Sequence, residues 1–138
     1  MTDLHILIGT LGFEARFERA RAPLSCAAFE ALLPFEHPAI QARWSGQAAF
    51  VPLGLAALSL PAENATRFPA PGELLLYPGG ISEVEVLIPY GPTAFASKAG
   101  PLAGNHFLTI VSGNEQLEEL GRRVLWEGAQ QVRIRRAN

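Results

Sequence analysis

The sequence predicts a mainly β protein, built as a barrel or a sandwich whose ends are covered by two short helices. Short apolar or alternating runs recur along the 138 residues, and about eight of them are typical of strands with mostly short connections. Two stretches have the apolar spacing of a helix. No internal repeat, low-complexity tract or linker interrupts the chain, so we expect a single domain over residues 1–138.

The N-terminal segment predicts a β-hairpin followed by a helix. Apolar and polar side chains alternate over residues 4–8 and 13–17, and residues 9–12, with two glycines, separate the two runs. Residues 22–34 predict a helix, because one proline suits its first turn, alanines favour its interior and a second proline ends it. Cys26 falls on the apolar face of this helix, where we interpret it as a buried side chain rather than a nucleophile.

The next predicted strand carries the first candidate functional residue. Residues 40–44 alternate as a strand would, which places Arg43 on one face with Gln41 and Ser45 and places Trp44 on the opposite face. A guanidinium group presents a planar fork of donors that suits a carboxylate or a polarised carbonyl. The alternative is that Arg43 forms a structural ion pair with a nearby glutamate. A further strand is predicted at residues 47–51.

Residues 71–91 predict a second hairpin, around which the rest of the chain is organised. Its first strand, residues 73–77, ends in Tyr77 and is followed by a Pro-Gly-Gly turn. Its second strand alternates, so that three apolar side chains face a core while Glu83 and Glu85 stand together on the other face. If both carboxylates are screened from water, one of them has a raised pKa and suits acid–base work. The alternative is the solvent face of an ordinary strand.

Two stretches show no periodicity. Residues 53–72 predict irregular structure followed by a loop, and residues 91–105 predict a long loop rich in glycine, serine and proline. Long ordered loops in small domains are disproportionately functional. We therefore expect Ser97, Lys98 and Asn105, which lie in the second loop, to contact a ligand.

The C-terminal part predicts a strand, a helix and a last strand. His106 starts the strand at residues 106–111 and shares a face with the apolar positions 108 and 110. Its ordinary pKa, about 6.5, suits acid or base work, and the alternative is a hydrogen-bonded structural histidine. Ser112 and Glu115 form a capping-box pattern for a helix that Gly121 ends or interrupts. Residues 131–135 predict the final strand.

Composition and charge exclude several classes of function. A net charge of −2 gives no electrostatic basis for binding nucleic acid. One cysteine permits no internal disulfide, and the N-terminus has no signal-peptide pattern. No apolar segment reaches the roughly 20 residues that span a bilayer, so we expect a cytoplasmic protein with no membrane partner. No spacing of histidines, cysteines or carboxylates predicts a metal site, and no glycine loop predicts a phosphate cofactor.

Several motifs resemble those of cyclophilins and occur in the same order. They are the proline-led helix at residues 22–29, the strand arginine Arg43, the segment 71–74 and the Leu-Ala-Gly-Asn-His run at 102–106. More closely, residues 42–46, 77–83 and 103–107 resemble a bacterial family of cyclophilin-like domains of unknown function. This resemblance covers nearly the whole chain. It implies a closed eight-stranded β-barrel with a helix over each end.

The resemblance also sets a limit on the function. In cyclophilins a prolyl-peptide groove lies on the outer face of the barrel, and a strand arginine polarises the substrate amide. Arg43 and His106 match groove positions, but Ala48 and Val51 stand where cyclophilins place an aromatic floor residue and a glutamine. Peptidyl-prolyl isomerisation is therefore an alternative rather than the first hypothesis.

The first hypothesis is a cleft that binds or transforms a small polar molecule containing an amide or a carboxylate. Its catalytic candidates are Arg43, His106, Glu83 and Glu85. Its ligand-binding candidates are Gln41, Trp44, Ser45, Tyr77, Ser97, Lys98 and Asn105. The second alternative is a non-catalytic module that binds a partner or forms a homo-oligomer, for which an exposed Trp44 is the sign to look for.

Overall fold

The structure, a computed structural model, describes all residues 1–138 and contains eleven strands and two helices. In chain order these are β1 (Leu4–Ile8), β2 (Leu11–Phe17), α1 (Pro23–Glu30), β3 (Phe35–Gln41), β4 (Gly46–Pro52), β5 (Ala65–Thr66), β6 (Glu73–Tyr77), β7 (Glu85–Thr93), β8 (Ala96–Ser97), β9 (Gly100–Pro101), β10 (Gly104–Ser112), α2 (Leu117–Trp126) and β11 (Gln130–Arg136). A short 3-10 turn at Asn114–Gln116 leads into α2. No helix is long and apolar enough to cross a membrane.

Eight of the strands form a closed antiparallel barrel, which confirms the predicted fold class. The neighbours run β2-β1-β11-β3-β4-β7-β6-β10, and β10 pairs back with β2 to close the barrel. Because closure pairs both edges of the sheet, no strand of the barrel has a free edge with which a strand of another chain could pair. The short β5 pairs with β10 outside this ring, and β8 and β9 form a separate two-stranded hairpin.

The barrel interior is filled by a cluster of 29 buried apolar residues. The alternation predicted for the first hairpin is confirmed, since Leu4, Ile6 and Ile8 on β1 are all at most 2 % exposed. Helix α1 contacts β10, and its Phe29 ring lies 5.0 Å from that of Phe107. Helix α2 contacts β3, β4 and β7. Each helix thus buries an apolar face that the barrel alone leaves uncovered.

Two predictions about the second helix were wrong. The Ser112–Glu115 capping box does not form, because Gly113 precedes the 3-10 turn at φ 96° and no side chain caps it. Gly121 does not end α2 but lies in its middle, under the ring of Tyr90. An added Cβ at this position would lie 2.3 Å from a Tyr90 ring carbon. The glycine is there because the helix and β7 approach closely.

We expect Gly121→Ala to destabilise the protein, although alanine is the better helix former. Forcing a methyl group against the Tyr90 ring costs about 1–3 kcal/mol of the free energy of unfolding, more than the roughly 1 kcal/mol that helix propensity returns. Urea unfolding measures the difference. Gly12→Ala is the matched control, because nothing lies within 4 Å of an added Cβ there. Equal stability of the two variants would contradict the close approach.

Candidate functional site

The strand predicted at residues 40–44 was misplaced, and this changes the setting of Arg43. Strand β3 begins at Phe35 and ends at Gln41, so Arg43 lies in the turn between β3 and β4 rather than on a strand face with Gln41 and Ser45. Pro38 hid the strand from sequence reasoning, because proline inside a run argues against a strand. The three side chains nevertheless line one pocket, because the turn folds over the outer face of the barrel.

The second half of the predicted hairpin also begins later than expected. Strand β7 starts at Glu85, so Glu83 lies in the connection from β6 and not on the strand face predicted for the pair. The prediction for Glu85 itself holds, since Val84 and Val86 belong to the barrel core and Glu85 points outward between Pro52 and Tyr77. The connection spans residues 78–84. It is held by the Tyr77 hydroxyl, which accepts hydrogen bonds from the backbone N–H groups of residues 81 and 82.

A second apolar cluster covers part of the outer face of the barrel. Outward-facing side chains of β4, β6 and β7 pack under Phe95 and Leu102, which come from the segment between β7 and β10. Phe95 is 0 % exposed, and its ring meets the edge of Tyr77 at 5.7 Å. Gly104 admits this ring, since a Cβ there would lie 3.2 Å from it. Residues 94–103, part of the long loop predicted at residues 91–105, thus form a fixed outer wall.

Ser45 joins this wall to the turn that carries Arg43. Its hydroxyl donates to the carbonyl of Ala96 and accepts from the N–H of the same residue, both at 3.1 Å. Its own carbonyl accepts from the N–H of Ala94 at 3.0 Å. Ser45 is 4 % exposed. Its hydroxyl is therefore used in holding two segments together, although it was predicted to bind a ligand.

A pocket of about 270 Å³ opens between these elements. It lies beside the outer cluster, where the β3–β4 turn, the β6–β7 connection and the β8–β9 hairpin meet. Its lining residues are 40–45, Phe50, Ser82, Glu83, Glu85 and 96–98. The predicted candidates Gln41, Arg43, Trp44, Ser45, Glu83, Glu85, Ser97 and Lys98 are among them.

Glu85 is the most perturbed group of the pocket. It is 7 % exposed and makes no hydrogen bond or ion pair within the protein, yet neither carboxylate oxygen is sealed off from solvent. Glu85 is a lining residue of the pocket. Burial raises the pKa of Glu85 to about 7, and the negative charge of Glu83 adds to this effect. A carboxyl group with such a pKa exchanges its proton near neutral pH, which is what general acid–base catalysis requires.

The other three charged side chains of the pocket are also unpaired. Arg43, Glu83 and Lys98 are exposed, and none forms an ion pair within 4 Å. The alternative that Arg43 pairs structurally with Glu83 or Glu85 is not realised. The Arg43 guanidinium instead lies over the ring of Trp44, 5.4 Å from its centroid. Trp44 is 53 % exposed at the rim.

The polar groups of Gln41 and Ser97 are engaged with the protein. Gln41 accepts a hydrogen bond of 2.6 Å from the Tyr90 hydroxyl and donates one of 2.7 Å to the carbonyl of Gly46. Ser97 accepts from the N–H of Ala99 in the β8–β9 turn. These residues shape the pocket and leave its charged groups free for a ligand.

His106 and Asn105 do not line this pocket, so the single cleft predicted for Arg43 and His106 is not formed. A β-bulge between positions 106 and 108 of β10 breaks the alternation, and His106 turns outward while Leu108 stays in the core. Its Nε2 lies 2.8 Å from the Thr109 hydroxyl, which donates to Glu18. Asn105 is 2 % exposed and bonds Ser25 and the backbone at residues 61 and 63. Both have structural partners.

Sequence reasoning missed the apolar side of the pocket. Phe50 and Ile40 are lining residues, and so is Ser82 in the β6–β7 connection. Phe50 was open to prediction, because alternation along β4 turns it outward when Ala49 and Val51 point inward. The other two depended on the true bounds of β3 and β7.

A wider groove of about 680 Å³ lies over the outer face of β1, β2, β3 and β11. It is open, and its charged side chains are partly paired, as in the ion pair of Arg133 with Glu36. It contains no buried unpartnered group comparable to Glu85. No group of three histidine, cysteine or acidic side chains is arranged to hold a metal ion. The smaller pocket is therefore the better candidate site.

The fold and the pocket define a small closed antiparallel β-barrel protein with a charged pocket on its outer wall. Residues 5–136 match the family DUF3830, whose description is "Protein of unknown function", and the chain belongs to that family.

Among solved structures, the chain is similar to the structure of McbB in complex with tryptophan, at 20 % identity and a TM-score of 0.70. The match covers 98 % of this chain and 45 % of that one, so this chain spans less than half of its neighbour's length. The likeness bears on the fold. No curated protein matches.

Proposed function

We propose that the protein binds, and through Glu85 transforms, a small polar molecule that carries a carboxylate or an amide, in the pocket between Arg43 and Glu85. The observation that carries the proposal is the state of Glu85. A buried carboxyl group without a partner costs folding energy, and such groups persist chiefly where function requires them. The 270 Å³ volume is close to the lower limit of ligand pockets, which range from about 300 to 1,000 Å³.

The roles of the charged residues follow from their chemistry. Arg43, on an exposed turn and free of protein carboxylates, would hold a carboxylate or amide oxygen of the ligand. Lys98 would add a second positive charge from the facing hairpin. Glu85 would accept or donate a proton near pH 7. The negative charge of Glu83 would help to keep the pKa of Glu85 high. Trp44 and Phe50 would cover the apolar part of the ligand.

One comparison supports a small-molecule function. McbB, the solved barrel neighbour, holds tryptophan, which is itself a small molecule with a carboxylate. We further propose that the barrel is cyclophilin-like, on the strength of the ordered motifs at residues 22–29, 42–46 and 102–106. Prolyl isomerisation is not part of the proposal, because Phe95 and Leu102 cover the outer face next to Ala48, where a peptide groove would need to be open.

We expect small carboxylic acids and carboxamides to bind the wild-type protein, and we expect the acids to lose at least tenfold in affinity with Arg43→Gln. A charge-assisted hydrogen bond contributes about 1.5–3 kcal/mol, which corresponds to tenfold or more. A ligand-observed NMR screen of simple acids and amides at pH 7 measures this. Arg21→Gln is the matched control, since Arg21 is exposed and far from the pocket lining. Equal affinity of the wild type and Arg43→Gln would contradict the proposal.

A further inference from the structure

The pocket contains charges of both signs, and they stand at different ends of it. Arg43 lies in the turn that precedes β4, and Lys98 lies in the β8–β9 hairpin, which Ser45 ties to the same turn. Glu85 pairs in register with Pro52, the last residue of β4, and Glu83 is two positions earlier in the chain. The two cations therefore approach from the start of β4 and the two carboxylates from its end.

The distance between the two ends indicates the shape of the ligand. The seven residues of β4 span roughly 20 Å, and the charged side chains extend from both ends of it into one pocket of 270 Å³, so the gap between the opposite charges is shorter than the strand. No cation of the pocket lies within 4 Å of a carboxylate. A ligand that satisfies both groups must be elongated, with opposite charges at its two ends. A peptide of two or three residues, whose extended chain spans roughly 7–11 Å, has this form.

The middle of the pocket suits the body of such a peptide. Phe50 and Ile40 supply apolar surface between the charged ends, and the hydroxyl of Ser82 lines the same pocket. Glu85 is buried and has no partner in the protein, so an ammonium group beside it would gain a strong hydrogen bond without breaking one within the protein.

We propose that the ligand of this pocket is a short zwitterionic peptide of two or three residues, whose terminal carboxylate binds Arg43 and Lys98 and whose terminal ammonium binds Glu83 and Glu85. This inference rests on the proposed function and makes it narrower. It distinguishes a ligand that is bound through both of its terminal charges from a ligand that is bound through its carboxylate alone.

The test compares free peptides with forms that lack one terminal charge. The probes are Ala-Leu and Ala-Leu-Ala, their N-acetylated and C-amidated forms, and leucine, and isothermal titration calorimetry at pH 7.5 measures their affinities. We expect a free peptide to bind at least tenfold more tightly than either of its capped forms and than leucine. Perturbed backbone amide signals of Ser82 and Ser97 in NMR spectra would locate the site.

Single substitutions test which residues of the pocket bind each end of the peptide. Arg43→Gln should weaken the free peptide about tenfold and leave the C-amidated form unchanged, whereas Glu83→Gln should weaken the free peptide and leave the N-acetylated form unchanged. Arg21→Gln and Glu115→Gln, which replace exposed residues outside the pocket, should change neither.

The opposite results separate this inference from the proposed function. Binding of the N-acetylated peptide as tightly as the free one would overturn the inference and leave a carboxylate site. If leucine binds as tightly as Ala-Leu-Ala, the inference that the ligand is elongated is wrong. If no peptide binds but simple carboxylic acids do, the inference fails and the proposed function stands. If neither peptides nor simple carboxylic acids bind, the inference and the proposed function both fail.

Discussion

Glu85→Gln should make the protein more stable than the wild type at pH 8, by roughly 3 kcal/mol in the free energy of unfolding. The pKa of Glu85 is about 7 in the folded protein, against 4.5 as the ordinary value. The folded state therefore holds its proton more tightly than the unfolded state, and wild-type stability falls as pH rises from about 4.5 to 7. Glutamine resembles the protonated carboxyl at every pH, so it avoids this loss.

The pH dependence is the sharper part of this expectation. Urea unfolding at several pH values between about 3 and 8 should show the two proteins converging as the pH falls below about 4.5, where the Glu85 carboxyl becomes protonated in both the folded and the unfolded wild type. The difference should grow through the interval up to pH 7 and be constant above it. Glu83→Gln is the control, since Glu83 is exposed and its replacement only removes a repulsion. A stability gain that is the same at pH 4.5 and 8 would show that burial does not perturb Glu85.

A gain of stability on removing Glu85 would also support its role in function. A residue that costs the fold this much and has no protein partner is retained for another reason, and functional sites are where such costs concentrate. If Glu85→Gln gains stability and also loses ligand binding, the cost and the function belong to the same carboxyl group.

The architecture followed from local patterns that the fold preserves. Alternation along β1 and β2 placed Leu4, Ile6 and Phe13 in the core, and the neighbours Val84 and Val86 fixed the outward direction of Glu85. These patterns are visible because a strand places successive side chains on opposite faces, and the barrel keeps one face buried.

The candidate site was predictable in its charged residues and not in its geometry. Arg43 was assigned to a strand because Pro38 concealed the real one, and His106 was placed with Leu108 because a β-bulge leaves no mark in the sequence. The pocket itself depends on Ser45 bonding to Ala96, 51 positions later. A contact between two irregular segments has no period, so no local pattern predicts it.

The outer wall is the part of the site that was least predictable from the sequence. Phe95→Ala tests how far the stability of the protein and the shape of the pocket depend on this wall. Phe95 is 0 % exposed, and deleting a buried phenylalanine ring costs about 3–5 kcal/mol of the free energy of unfolding. We expect urea unfolding to show a loss in this range.

Because Phe95 fixes the segment that carries Ala96 and Lys98, the same variant should also lose ligand affinity. Phe68→Ala is the matched control, since Phe68 is 65 % exposed and its loss should change stability by less than about 0.5 kcal/mol. Under conditions where Phe95→Ala is still folded, NMR signals of Ser45 and Ser97 should shift while those of the α1 core residues Cys26 and Phe29 stay in place. Unchanged Ser45 signals would mean that the Ser45–Ala96 contact holds the wall without the ring, and that the pocket is shaped by the turn alone.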